Sequence, residues 1–158
     1  MTSLFDDPRL TTAGLLYEAH DGLIAKLAPT FRSHGLSGLD VNALMRLSRS
    51  PARRLRMSDL AAQTWLSTSG VTRLVDRLSR AGLVDRETAP GDRRSTFAVL
   101  TSEGERVLTD VLPAYLDGVE RWFTGLLTEE QLTALTAALR IVRDAVHPDA
   151  VLGAEDEA

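Results

Sequence analysis

The stretch from Met57 to Val84, MSDLAAQTWLSTSGVTRLVDRLSRAGLV, carries the signals of a short helix, a tight turn and a longer helix. The short helix is predicted to begin after Ser58 as its N-cap. The longer helix is predicted at about residues 67–81, because Ser67 is a good N-cap and Gly82 is a helix stop. Four aliphatic residues recur there at the i, i+3, i+4, i+7 spacing: Val71, Leu74, Val75 and Leu78. This face is therefore predicted to be buried, with a polar face opposite to it.

A β-hairpin is predicted after this helix pair, over about residues 83–100. Both runs contain β-forming residues, and the sequence Pro90-Gly91-Asp92 between them is typical of a tight turn. Arg93 and Arg94 make the tip of the hairpin basic. A short helix, a tight turn, a longer helix and a hairpin, in this order, are typical of a winged helix-turn-helix.

Helical periodicity predicts two further helices before this centre. The first covers residues 11–34, and Pro29 within it predicts a kink or an early end. Ser37 is the expected N-cap of the second. Residues 50–56 follow as a basic connector for which no strand is predicted.

Two more helices are predicted after the hairpin. Thr101 is the expected N-cap of a long one, in which Pro113 and Gly118 predict a bend. Thr128 and Gln131 form a capping box that opens the last helix.

The predicted fold class is mainly α with a small β-hairpin wing (α+β). The predicted organisation is a loose N-terminal arm at residues 1–10, a helical dimerisation region at 11–36 and 102–147, a winged helix-turn-helix at 37–101, and an acidic flexible tail at 148–158. The dimerisation assignment rests on the two ends of the chain, where long amphipathic helices need a partner for their apolar faces. The alternative is that these helices pack on each other within one chain.

Basic residues are concentrated in the middle of the chain. The whole chain has a formal net charge of −4, but residues 46–94 contain 11 arginines and 5 acidic residues, a balance of +6. The remainder therefore carries 7 basic and 17 acidic residues, a balance of −10. A basic centre between acidic ends predicts a local surface for a polyanion such as DNA.

Composition and motifs exclude several classes of function. The chain has no cysteine, so disulfides, thiol redox sensing and cysteine-ligated zinc are excluded. The three histidines, His20, His34 and His147, are scattered along the chain, and no nucleophile elbow, phosphate-binding glycine loop or HExxH motif is present. We therefore predict neither an enzyme nor a cofactor or metal site. No apolar run is long enough for a membrane span and no signal peptide is visible, so no membrane partner and a cytoplasmic location are expected.

The polar face of the longer helix suits a DNA major groove. That face carries hydroxyls, arginines and one acid: Thr68, Ser69, Thr72, Arg73, Asp76, Arg77 and Arg80. Small hydroxyls at the N-terminal end permit close approach to base edges and phosphates, and Arg73 can contact guanine with two hydrogen bonds. Arg77 and Arg80 lie further along the helix, where backbone contact is favoured. The alternative is an ordinary solvated face whose arginines pair with Asp76.

The hairpin tip suits a minor groove in a similar way. A minor groove is narrow and electronegative, so an arginine such as Arg94 can insert into it. Asp92 can pair with Arg94 and fix its direction. The alternative is a charged tip that only maintains solubility.

These segments together resemble the multiple-antibiotic-resistance regulator (MarR) family. The resemblance lies in Met57 to Val84, in Gly91-Asp92-Arg93-Arg94-Ser95, and in Val99-Leu100-Thr101-Ser-Glu-Gly104, and the order of elements extends it over residues 11–147. It implies a homodimeric transcriptional repressor that binds double-stranded DNA. The implied DNA-binding residues are Ser67, Thr68, Ser69, Thr72, Arg73 and Arg77 on the recognition helix, and Asp92, Arg93 and Arg94 on the wing.

The resemblance also implies a small aromatic or phenolic effector that binds between the dimerisation and DNA-binding regions. Tyr17, His20, Met45 and Arg49 are the candidate contacts. Two alternatives stay open, namely a zinc-responsive winged-helix regulator and a constitutive repressor without an effector.

Overall fold

A computed structural model of the chain describes residues 4–89 and 92–151, with the backbone alone at residues 89 and 92–95. The helices and strands in these ranges are α1 (Pro8–Arg32), α2 (Gly38–Arg49), β1 (Arg54–Arg56), α3 (Met57–Thr64), α4 (Thr68–Arg80), β2 (Val84–Ala89), β3 (Asp92–Leu100), α5 (Ser102–Trp122) and α6 (Glu129–Val146). The fold is mainly helical with one small antiparallel sheet, which confirms the predicted class. No helix in the described ranges combines the length and the apolarity needed to cross a membrane.

The sheet has three strands rather than the two of a simple hairpin. Its order is β1-β3-β2, and both pairings are antiparallel, with Leu55 opposite Ala98 and Val84 opposite Leu100. The prediction of a strand-free connector at residues 50–56 is therefore wrong. A three-residue strand is too short to show alternation, and its partner β3 lies far along the chain, so local pattern could not indicate it.

The core lies where α2, α3 and α4 pack on the sheet. The predicted inner face of α4 is confirmed, since all four of its aliphatic residues are at most 2% exposed. They belong to a cluster whose largest fully buried members also include Leu44, Leu47, Leu55, Leu60 and Val84. Burying each such side chain stabilises the fold by about 1.5–3 kcal/mol relative to leaving it exposed. This packing fixes which face of α4 is presented to solvent.

Side-chain caps begin four of the helices as predicted. Ser37, Ser67, Thr101 and Thr128 each accept a hydrogen bond from a backbone N–H in the first turn of the following helix. The prediction that Ser58 caps α3 is wrong. Arg56 still pairs with Phe97 in the sheet, so the strand ends there and the helix begins at the next residue, without a side-chain cap.

Several helix ends also differ from the prediction. The predicted loose arm is helical from Pro8, because Asp7 accepts a hydrogen bond from the Arg9 backbone N–H at 2.9 Å. Helix α1 continues past Pro29 to Arg32, so it does not end early there, and α5 continues past Pro113; the predicted kink and bend stay predictions. The predicted flexible tail forms a 3₁₀ turn at Pro148–Val151, in which Ala150 is buried, and residues 152–158 lie outside the described part.

The ends of the chain expose much apolar surface. Within the described structure α6 has no buried residue. Large apolar side chains at least 48% exposed lie along α1, α6 and the turn before α6: Leu10, Leu15, Leu16, Tyr17, Ile24, Leu126, Ile141, Val142 and Val146. The two terminal helices thus leave apolar faces uncovered within one chain.

The close approach of α5 to the sheet generates a stability prediction. A Cβ at Gly104 would overlap the Leu83 carbonyl oxygen and lie 2.7 Å from Leu100 Cδ1. We expect Gly104→Ala to lower the free energy of unfolding by about 1–3 kcal/mol, because the backbone has to move. Gly14→Ala is the matched control, since it has nothing within 4 Å and should raise stability by about 0.5–1 kcal/mol. Urea unfolding measures both, and equal effects would contradict this packing.

Candidate nucleic-acid interface

The N-terminal end of α4 presents hydroxyl groups to solvent. Ser67, Thr68 and Ser69 are all exposed. The Ser67 Oγ accepts a hydrogen bond from the Gly70 backbone N–H at 3.1 Å, and the Ser67 and Ser69 hydroxyl oxygens lie 3.1 Å apart. This cap holds the first turn of α4 in place. The positive end of the helix dipole and several hydroxyls therefore face outward together, an arrangement that favours a phosphate or a base edge.

Two further predicted residues follow in the next turn. The half-buried Thr72 donates its hydroxyl hydrogen to the Thr68 carbonyl oxygen at 2.8 Å. Arg73 is exposed, and within the described residues its side chain has neither a hydrogen bond nor an ion pair. Its guanidinium thus keeps its donors available for an external acceptor.

Arg77 lies in a different environment from Arg73. Its Nε donates a hydrogen bond to Asp40 Oδ1 of α2 at 3.2 Å, and its Nη2 forms an ion pair with the same oxygen. The Asp40 side chain is buried, whereas that of Arg77 is 52% exposed. The structure therefore places Arg77 against α2, a contact that the sequence pattern did not indicate.

Asp76 pairs with the wing rather than with another residue of α4. Its Oδ1 lies 2.8 Å from the Arg86 Nη2 of β2, and this nitrogen also donates to the Thr72 carbonyl oxygen at 3.3 Å. Sequence reasoning missed Arg86, because no local spacing connects a helix position with a position on the following strand. The pair joins α4 directly to the base of the hairpin.

A cleft of about 350 Å³ opens between α3, α4 and the sheet. Its polar lining includes Arg56, Ser58, Thr68, Thr72, Arg86 and Thr96. The four hydroxyls lie beside the start of α4, together with Arg56 and with Arg86, whose guanidinium already pairs with Asp76. No periodicity in the sequence predicted this cleft, since the lining residues come together only after the sheet has formed.

The tip of the wing is described by its backbone alone. Asp92, Arg93 and Arg94 begin β3, which pairs with β2 as an antiparallel hairpin. The side chains of these three residues lie outside the described part, so their predicted role at a minor groove stays a prediction.

The four candidate effector contacts lie on two helices. Tyr17 and His20 are exposed on α1, where the His20 Nδ1 lies 3.0 Å from Asp21 Oδ1. On α2, Met45 packs partly buried against the core and Arg49 is exposed. No hydrogen bond or ion pair joins any two of the four in the part of the chain that the structure describes. Their role as an effector site also stays a prediction.

Similar proteins were found by sequence and by structure. A MarR family model matches residues 34–95. AbsC, a MarR family transcriptional regulator from Streptomyces coelicolor, is 34% identical with a TM-score of 0.84, covering 93% of this chain and 99% of AbsC. Sco3205, a second MarR family regulator from that organism, was crystallised in complex with DNA. It is 33% identical with a TM-score of 0.80, covering 93% of this chain and 90% of Sco3205.

A curated relative shares a shorter region. The Bacillus subtilis (strain 168) protein YkoM, an uncharacterized HTH-type transcriptional regulator, is 31% identical over 101 residues. The match covers 63% of this chain and 64% of YkoM, slightly less than two thirds of that regulator.

The buried Asp40 generates a pH prediction. Burial favours a higher pKa for this carboxyl, but hydrogen bonds from Ser37 and the pairing with Arg77 outweigh burial and lower the pKa below its usual value. A carboxyl with a lowered folded-state pKa stabilises the fold above its unfolded-state pKa of about 3.9. That contribution is lost as the pH falls through the lower folded-state pKa.

We therefore expect Asp40→Asn to lower the free energy of unfolding by about 1–3 kcal/mol at neutral pH. The difference from wild type should shrink as the pH falls below about 4. Urea unfolding at a series of pH values measures it, with the exposed Asp85→Asn as the control. A difference that stays constant across the series would contradict the role given to the carboxylate.

Proposed function

The chain belongs to the MarR family of transcriptional regulators, and we propose that it is a homodimeric, ligand-responsive transcriptional repressor that binds double-stranded DNA. The observation that carries the proposal is the outer face of α4, where exposed hydroxyls and Arg73, which pairs with none of the described residues, project from a buried apolar base. The Sco3205 complex with DNA supports the nucleic-acid partner. In this proposal, the dimer represses transcription by covering its operator. Such a regulator acts where the chromosome lies, in the cytoplasm.

In this proposal α4 enters the major groove and the wing enters the minor groove. Ser67, Thr68, Ser69 and Thr72 approach phosphates and base edges, and Arg73 reads a guanine with two hydrogen bonds. From the wing, Arg94 inserts into the minor groove while Asp92 orients it and Arg93 adds charge. The winged helix-turn-helix at residues 37–101 is then the DNA-binding region.

Arg73 tests the base-reading role. We expect Arg73→Ala to weaken binding to the operator by about 1–3 kcal/mol and to relax specificity at one base pair, because a bidentate contact is lost. Arg94→Ala is the comparison, expected to weaken binding while the fold stays intact. Fluorescence anisotropy on operator and scrambled duplexes measures both variants. An equal loss on the two duplexes for Arg73→Ala would assign Arg73 to the phosphate backbone.

The dimer is proposed to form through the terminal helices, residues 11–36 and 102–147. Leu15 on α1 is 61% exposed and Ile141 on α6 is 73% exposed, and apolar faces of this extent favour burial against another surface. A second copy supplies the same faces in a self-complementary arrangement. Two recognition helices then read two half-sites, which gives more specificity than a single half-site.

Selection from a random duplex library tests the proposed function as a whole. We expect a pseudo-palindrome with half-sites about 10 bp apart, bound by a dimer whose mass light scattering reports. Ile141→Glu should weaken dimerisation and operator binding together, since a charge would be buried at the contact. The exposed Arg140→Glu is the control. A monomer that is stable at micromolar concentration and still footprints a palindrome would contradict the dimer.

A small organic ligand is the proposed effector, bound near Tyr17, His20, Met45 and Arg49. The chain has no cysteine for an oxidant response, and the described residues contain no group of three histidines or acids suited to a metal. These observations favour an organic compound over zinc or peroxide. The ligand acts by binding better to a dimer whose recognition helices no longer match the half-site spacing.

Operator affinity in the presence of aromatic acids, peroxide and zinc tests this switch. We expect at least one aromatic acid to weaken binding by about 1–3 kcal/mol, the usual range of allosteric coupling. A response to zinc alone would support a zinc-responsive regulator instead. A response to none of these agents would support a constitutive repressor.

A further inference from the structure

We propose that Arg77 is a positioning residue, which the buried carboxylate of Asp40 holds so that the recognition helix α4 is set at a fixed angle to α2. This inference rests on the proposed function, because the position of α4 matters through the DNA that it reads. It assigns to Arg77 a role different from the phosphate contact that the sequence predicts.

The Asp40 carboxylate uses its two oxygens for two different elements. Oδ2 accepts hydrogen bonds from the Ser37 backbone N–H at 2.8 Å and from the Ser37 hydroxyl at 2.7 Å. Oδ1 accepts both the Nε and the Nη2 groups of Arg77. One side chain thus closes the capping box of α2 and also fastens α4 to the start of that helix.

Burial makes this contact costly to break. Asp40 is only 4% exposed, so removal of Arg77 leaves its charge with hydrogen bonds from Ser37 alone and no ion-pair partner among the described residues. Removing the partner of a buried carboxylate costs more than breaking a pair in which both charges are exposed. A phosphate that drew Arg77 away would have to offset that loss, whereas Arg73 and Arg80 form no ion pair with described residues and are available without such a cost.

The helix α2, to which the pair fastens α4, also contacts the terminal helices α1 and α5. At the start of α2, a Cβ added at Gly38 would lie 3.7 Å from the Phe31 ring of α1, in ordinary van der Waals contact. The Phe31 ring in turn packs against Tyr115 of α5, with ring centroids 5.6 Å apart. The orientation of α4 relative to the helices proposed to form the dimer therefore depends on Asp40 and the start of α2.

A double-mutant cycle on DNA binding tests the inference. Arg77→Gln, Asp40→Asn and the double variant are assayed on the duplex selected from the random library, over a series of salt concentrations. Each single variant should weaken binding roughly tenfold, which corresponds to about 1.4 kcal/mol. The double variant should bind about as well as either single variant, because both remove the same contact. The slope of log Kd against log salt should stay at its wild-type value.

Asp40→Asn is the decisive member of the cycle. It removes a negative charge, so a purely electrostatic account predicts tighter DNA binding, whereas the positioning role predicts weaker binding. Arg80→Gln is the matched control, an exposed arginine on the same helix. The position of Arg80 on α4 predicts a phosphate contact. Arg80→Gln should therefore reduce the slope of log Kd against log salt by about 0.9.

Arg77→Lys keeps a positive charge beside the buried Asp40 carboxylate, so this variant is expected to stay folded and can still be assayed. A lysine serves a phosphate nearly as well as an arginine but cannot reproduce the two-point contact with Oδ1. We expect it to bind as weakly as Arg77→Gln, with an unchanged slope.

Near wild-type binding by Arg77→Lys, with a reduced slope for Arg77→Gln, would overturn the inference and leave the proposed function standing. If the wild-type chain selected no duplex, both proposals would fail.

Discussion

Burial of one face of α4 is the constraint on which the rest of the interface depends. Val71, Leu74, Val75 and Leu78 lie in the core, so the rotation of the helix about its axis is set by apolar packing. Hydroxyls and arginines then face outward because the sequence places them between the apolar positions. Chemistry on the outer face can vary without disturbing the inner one, which is how one scaffold can read different DNA sequences.

Packing sets the rotation of α4, but polar contacts hold its two flanks. Adjacent residues point in different directions, with Asp76 paired to Arg86 of β2 and Arg77 paired to Asp40 of α2. The first contact ties the helix to the wing and the second ties it to α2. A recognition helix must hold its position to within a fraction of a base-pair step. Apolar packing is non-directional, so the directional contacts on both flanks of α4 supply this positional restraint.

The sequence predicted the features that depend on neighbouring residues. Caps such as Ser37 and Ser67 and the period of α4 are local signals, and the structure confirms them. The features that sequence reasoning missed depend on residues far apart in the chain. Strand β1 exists because β3 pairs with it, and the Asp40–Arg77 contact joins residues of α2 and α4 that are 37 positions apart. The end of the chain is a further case, since the His147 Nε2 lies 2.9 Å from the Ala62 carbonyl oxygen of α3.

Charge counting along the sequence does not distinguish one arginine of the basic segment from another. The surplus of arginine between residues 46 and 94 treats every guanidinium as equally available for DNA. In the fold, Arg53 pairs with Glu105 and Arg54 lies 3.7 Å from Glu87, in addition to the two pairs on α4. Glu105 lies outside the counted segment 46–94, so the fold supplies a negative charge that the count omits.

Exposed pairs of this kind add little to stability, but they do decide where positive charge remains. On α4, the arginines that pair with none of the described residues are Arg73 and Arg80, on the face opposite to the core. The electrostatic field at this surface thus depends mainly on which arginines are already paired in the fold, and only secondarily on how many the chain contains.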